Sequence, residues 1–236
     1  MVDRPSLHRQ RQAAWLALLA GLLLTWGCRA AAPPAGQMLL DPDLARELRD
    51  RAAHLYPASF RAVHRALLTA GGRQFLLDGY LTVQRPGSFR LVAKGDMGGT
   101  VFEIVKEPGQ KARVVRNPMG LRPSWLTEGA ARSLEALYLA QPGPEARLVR
   151  QPGGSLALVQ DLPDGQQEQF LFQEDSRRWV RYALFSQDRC LFRADFAYGE
   201  AGPTGPARPR TVSIADYSWK YQLTLTVLEL AATAAP

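Results

Sequence analysis

Cys28 is the residue whose surroundings most clearly equip it for chemistry. It closes the stretch Leu16–Cys28 (LALLAGLLLTWGC), behind an N-terminus carrying Arg4, Arg9 and Arg11. A basic start, a short apolar core and a small residue before the cut make a secretory signal. The apolar run is too short to span a bilayer comfortably. Cleavage after Gly27 would leave Cys28 as the first residue of the mature chain. The other side chains that do chemistry are scattered. Beyond the signal there are two histidines, His54 and His64, and one further cysteine, Cys190. Neither histidine has another ligand at metal-binding spacing. Cys190 shares strand parity with Phe192 and Phe196, which predicts a small buried apolar residue. Gly153-Gly154-Ser155-Leu156-Ala157 lacks the last glycine of a nucleophile elbow and sits in a hairpin turn. Gly95–Gly99 reads as a turn, with no phosphate-loop Lys-Ser/Thr after it. Glu103, Glu128, Glu135 and Glu168 form no pair that sequence alone can bring together. The expectation is a protein without catalysis, metal or cofactor.

Leu24-Thr25-Trp26-Gly27-Cys28 resembles the lipobox of bacterial lipoprotein signals, with Thr25 where Leu is usual and Trp26 where a small residue is usual. That resemblance implies acyl chains on Cys28. Two or more chains, at about 0.8 kcal/mol per buried methylene, anchor stably. The next residue is Arg29, not the Asp that holds such proteins in the inner membrane, which implies the periplasmic face of the outer membrane. The expected organisation is a signal over 1–27, a lipidated tether over 28–40, one domain over 41–230 and a frayed tail over 231–236. The formal charge is +7, about +5 once the signal's three Arg and one Asp are gone. A modest positive charge suits an anionic membrane surface. The arginines are spread singly rather than in blocks, which argues against nucleic acid as a partner.

The elements follow from periodicity. Asp41-Pro42 opens a helix carrying Leu44, Leu48, Ala52 and Leu55 on one face, ended by Pro57. The period then drops to two, through turns at Ala70–Arg73, Arg85–Gly87, Gly95–Gly99 and Pro108-Gly109. A helix capped by Ser124 or Thr127 interrupts the strands, with Trp125, Leu134, Leu137 and Tyr138 on its apolar stripe. Strands resume around Leu158, Phe170, Tyr182, Phe192, Ile214 and Leu223, the last beginning at Trp219. The predicted fold is mainly β: an antiparallel sheet of roughly ten strands rolled into a half-barrel, its open side covered by helices. Strand parity aims one set of side chains at the enclosed face: Phe75, Leu77, Leu81, Phe89, Leu91, Phe102, Ile104, Tyr182, Leu184, Phe192, Phe196, Tyr221, Leu223 and Leu225. Trp125, Leu134 and Tyr138 should close over them. A half-barrel of this kind encloses an apolar space suited to an acyl chain.

Three stretches resemble the LolA/LolB lipoprotein localisation factors, most closely the outer-membrane receptor branch, LolB. Phe89–Ile104 is similar to that family's strand, Pro-Leu-Gly loop and strand. Leu134–Gly143 is similar to its helix end, and Pro209–Ile214 with Leu223–Leu225 to its closing strand pair. The resemblance implies an apolar cavity that takes the acyl chains of cargo lipoproteins, a periplasmic carrier as delivering partner, and an exposed apolar loop residue that passes cargo into the membrane. The matching position is Met97, preceded by Asp96 where the family has Pro. The competing expectation is a structural or assembly lipoprotein of the same fold that binds a protein partner and no lipid.

Overall fold

The computed structural model describes residues 36–199 and 208–233. One antiparallel sheet of thirteen strands dominates it. In chain order these are β1 (Gln37–Met38), β2 (Ser59–Ala70), β3 (Arg73–Gln84), β4 (Ser88–Gly95), β5 (Thr100–Lys106), β6 (Arg113–Arg116), β7 (Arg147–Arg150), β8 (Leu156–Asp161), β9 (Gln166–Phe172), β10 (Trp179–Ser186), β11 (Arg189–Tyr198), β12 (Pro209–Asp216) and β13 (Tyr221–Ala232). Two runs of hairpins, β2 to β6 and β7 to β13, meet where β13 pairs with β2. The sheet stays open, with β1 and β6 at its edges.

Helix α1 (Pro42–Ala53) begins as the sequence dictates. Asp41 accepts a hydrogen bond from the Leu44 amide at 2.9 Å, and Pro42 takes the first helical position. It buries Ala45, Leu48 and Ala52. Helix α2 crosses the concave face of the sheet between β6 and β7. Its central turn (Ala131–Leu134) is α-helical, flanked by π-helical segments Trp125–Ala130 and Glu135–Leu139. Arg85 ties the two helices together, donating to the carbonyls of Ala53 at 2.6 Å and Tyr138 at 3.1 Å. Lys106 on β5 pairs with Glu135 at 2.8 Å. Gly129 lets α2 approach the β12–β13 turn, since a Cβ there would stand 3.3 Å from Trp219 Cγ.

Several expectations need correcting. There are thirteen strands rather than about ten, because two-residue β1 and four-residue β7 are too short to show a period. Residues 37–38, assigned to the tether, pair with Arg150 and Val149. The tail is not frayed at its start: Ala231 and Ala232 pair with Arg61 and Phe60, and the Thr233 amide reaches the Ser59 carbonyl. Trp219 belongs to a turn, and β13 starts at Tyr221. The Ser124 side chain makes no cap bond, and Thr127 instead donates to the Pro123 carbonyl, one turn back. Cys190 is half-buried, its thiol donating to the Phe192 carbonyl. Burial still pushes that thiol up from its ordinary value.

Candidate functional site

An apolar cavity of about 70 Å³ lies between the sheet and α2. Its floor is a set of cross-strand rows on β13, β2, β3, β4 and β5. One row runs Leu225, Ala66, Leu77, and the next His64, Gly79, Ala93, Phe102. Small side chains at Ala66, Gly79 and Ala93 leave the space open. Trp125, Ala130, Ser133 and Leu134 of α2 form the roof, and Tyr221 and Leu223 the wall. Beside it, and sharing Leu68, Leu77, Phe102 and Trp125 as lining, is a wider mouth of about 570 Å³. Phe75, Leu76, Met119, Leu121 and Trp219 rim this mouth, with Gly95 and Asp96 at the base of the β4–β5 hairpin. Phe75, Leu76 and Met119 are exposed there.

Sequence parity identified part of this lining. Leu77, Leu91, Phe102, Trp125, Leu134, Tyr221, Leu223 and Leu225 surround the inner cavity. Phe75 shares their face but rims the open mouth, 45% exposed, so it is not enclosed. Leu81, Phe89 and Ile104 are buried beyond the cavity in solid core. Tyr138 is sealed in a cluster with Tyr56, Phe60 and His64. The remaining residues belong to the other half of the sheet. Tyr182, Phe192 and Phe196 join Phe170 and Trp179 in a continuous ring cluster, with centroids 4.8–6.0 Å apart. Leu184, with Tyr182, lines a separate open groove where Leu139 and Leu162 stand beside Lys106, Arg132, Glu135 and Glu168. The rings of Tyr182, Phe192 and Phe196 fill the space that small residues leave elsewhere, and none of these four lines the cavity.

Parity alone missed the residues that shape the cavity, because glycine and alanine carry no hydrophobic signal. It also missed His64 and Ser133. His64 Nε2 and the Tyr138 hydroxyl lie 2.5 Å apart. Burial lowers the His64 pKa to about 4, so the ring is neutral at neutral pH. Tyr221 donates to the Gly129 carbonyl at 3.1 Å and shares a hydrogen bond with Ser133. Asp216 anchors the adjoining turn by accepting from the Trp219 amide at 2.8 Å, and Arg132 approaches it at 4.0 Å. Burial raises the Asp216 pKa against the opposing pull of those two partners.

Met97 sits at the tip of the β4–β5 hairpin and is fully exposed. The hairpin closes through Gly98, whose amide donates to the Gly95 carbonyl at 2.8 Å with φ +77°, a left-handed conformation suited to glycine. Cys28 and the signal lie outside the described residues. Among the described residues, no three His, Cys, Asp or Glu side chains converge as a metal site would require.

The chain matches no family model and no curated protein by sequence. Solved structures do match. A LolA superfamily protein, NE2245 from Nitrosomonas europaea, superposes with a TM-score of 0.57 at 12% identity, covering 81% of this chain and 94% of that one. The fold is LolA-like. An outer-membrane lipoprotein-sorting protein domain from Vibrio parahaemolyticus (TM-score 0.47, 14% identity, 83% and 93% covered) is a more distant likeness. So is a DUF1329 family protein from Desulfovibrio piger (0.47, 11%, 83% and 95%). At these identities the LolA-like relationship concerns the open sheet and its helical cover, not the residues that line them.

Proposed function

We propose that this protein is a lipid-anchored receptor that takes acyl chains into the cavity beneath α2 and passes lipoproteins to or from the outer membrane. The observation that carries the reading is the apolar cavity, which shares four lining residues with a mouth whose rim exposes Phe75, Leu76 and Met119. A soluble surface rarely presents such a cluster without a use for it. Acyl capture needs no catalysis: each methylene buried contributes about 0.8 kcal/mol, and transfer requires only a more favourable acceptor. Cys28 would carry the anchor, in keeping with its place behind an apolar signal. Met97 would enter the bilayer at the tip of its hairpin, which its full exposure permits. A periplasmic carrier is the delivering partner in this reading.

The test is native mass spectrometry of the protein extracted from membranes, followed by titration with a fluorescent acyl probe. Co-purifying lipid or lipoprotein, and saturable probe binding, support the receptor. A protein free of lipid that ignores the probe would replace it with an assembly role exercised through a protein partner. Cys28→Ser should leave the precursor unprocessed or release the chain from membranes. Unchanged attachment and gel mobility would refute lipidation.

A further inference from the structure

His64 lines a mostly apolar cavity and is 3% exposed. Its Nε2 is engaged by Tyr138. Its Nδ1 has no hydrogen-bond partner among the described residues, yet it is not among the atoms sealed off by protein. His64 itself lines the cavity. In a neutral imidazole one nitrogen holds the proton and the other a lone pair. If Nε2 held it, the Tyr138 hydroxyl would accept, leaving its own proton and the Nδ1 lone pair both unused. If Tyr138 donates to Nε2, only Nδ1–H is left over. The second arrangement strands fewer groups in a site where each unmet one is costly, so Nδ1–H is the donor left without a protein partner on a cavity-lining residue.

We infer that the cavity selects acyl chains carrying a hydrogen-bond acceptor oxygen, carbonyl or hydroxyl, along their length, and that His64 Nδ1–H is the group that reads it. This rests on the acyl-binding reading above. His64 lies two cross-strand rows inward from Phe75 at the mouth, through Leu77 and then Gly79. Four residues of strand place it about 13 Å deep. A chain that enters tail first therefore meets His64 with the segment near its methyl end, far from its carboxylate, because Leu81 and Val83 close the core beyond that row. Gly79 and Ala93, the neighbours of His64 in its row, leave the room in which a substituted carbon fits. A plain hydrocarbon fills the same room but leaves Nδ1–H unpaired.

The experiment uses the full chain in lipid nanodiscs, offered equal amounts of stearate and a ketostearate whose ketone lies near the methyl end. The ketone only accepts, so it probes the donor. Bound lipid is quantified by mass spectrometry and normalised to empty nanodiscs. The expected result is enrichment of the keto acid on the order of five-fold, the worth of one hydrogen bond, and a ratio of the two bound acids that falls to about one in His64→Leu. Equal retention of both acids by the wild-type chain overturns the inference while leaving the receptor intact. Retention of neither overturns the receptor itself, and the inference with it. Should His64→Leu fail to fold, NMR of histidine-labelled wild type decides. The Nδ1–H resonance must shift on loading with the keto acid and not with stearate, and an unmoved resonance refutes the assignment.

Discussion

The two halves of the sheet share one architecture and differ in what stands on the concave face. Around β9, β10 and β11, Phe170, Trp179, Tyr182, Phe192 and Phe196 pack ring against ring and are buried. Around β2, β3 and β4, the equivalent face carries Ala66, Gly79 and Ala93, and a cavity opens above them. Cavity formation here is therefore a matter of side-chain volume at a few cross-strand positions, not of backbone curvature alone. One half supplies stability through dense packing. The other gives up that contribution to keep space for a guest.

The largest test of this contrast is truncation in the filled half. Phe170→Ala removes a fully buried ring and should cost about 3–5 kcal/mol, measured by denaturant unfolding. Leu223→Ala, on the partly buried wall of the cavity, should cost less than about 2 kcal/mol, because its surroundings already contain space. Equal losses would erase the distinction between the halves.

Next comes pH. The folded-state pKa of His64 is depressed to about 4 from an ordinary 6.5. The neutral ring's contribution is therefore complete above about pH 6.5 and is lost progressively as the pH falls toward 4, by about 3 kcal/mol in all. The groups against the ring are Tyr138 and the apolar lining, with no carboxylate to hold a charged imidazolium. The stability of wild type relative to His64→Leu should fall by that amount as the pH drops through this interval. Taking the difference cancels other groups, including Asp216, whose raised pKa works in the opposite sense. A pH-independent difference would mean that His64 titrates normally and is not sealed under α2.

The smallest effect on stability is expected at Met97. Met97→Glu should change unfolding free energy by less than about 0.5 kcal/mol, as befits an exposed tip. The same substitution should impair transfer of lipoprotein cargo to liposomes. A large loss of stability would place Met97 in the core, and unimpaired transfer would reduce the hairpin to a connection.

Much of the fold is legible in the sequence because period and punctuation agree. Asp41-Pro42 sets the first helix, and alternation from Phe75 to Val83 sets a strand face. The exposure of Met97 follows from its glycine neighbours. The cavity is less legible. Alternation says that Leu77 and Tyr182 face inward, but whether each meets a space or another ring depends on residues brought across from other strands. Gly79 faces Ala93, and Tyr182 faces Phe170, only once the register is fixed. His64 looks like an isolated core histidine until Tyr138 arrives from a helix 74 positions later.

The most direct test of the account is to fill the cavity without disturbing the fold. A Cβ at Gly79 would meet Leu91 Cδ1 at 3.4 Å and His64 Cβ at 3.8 Å, ordinary contacts, and the backbone there needs no glycine. Gly79→Val should therefore fold with a thermal midpoint near that of wild type while losing most of its affinity for a fluorescent acyl probe. Retention of full probe affinity by a folded Gly79→Val protein would contradict the claim that this half of the sheet holds the acyl-binding site.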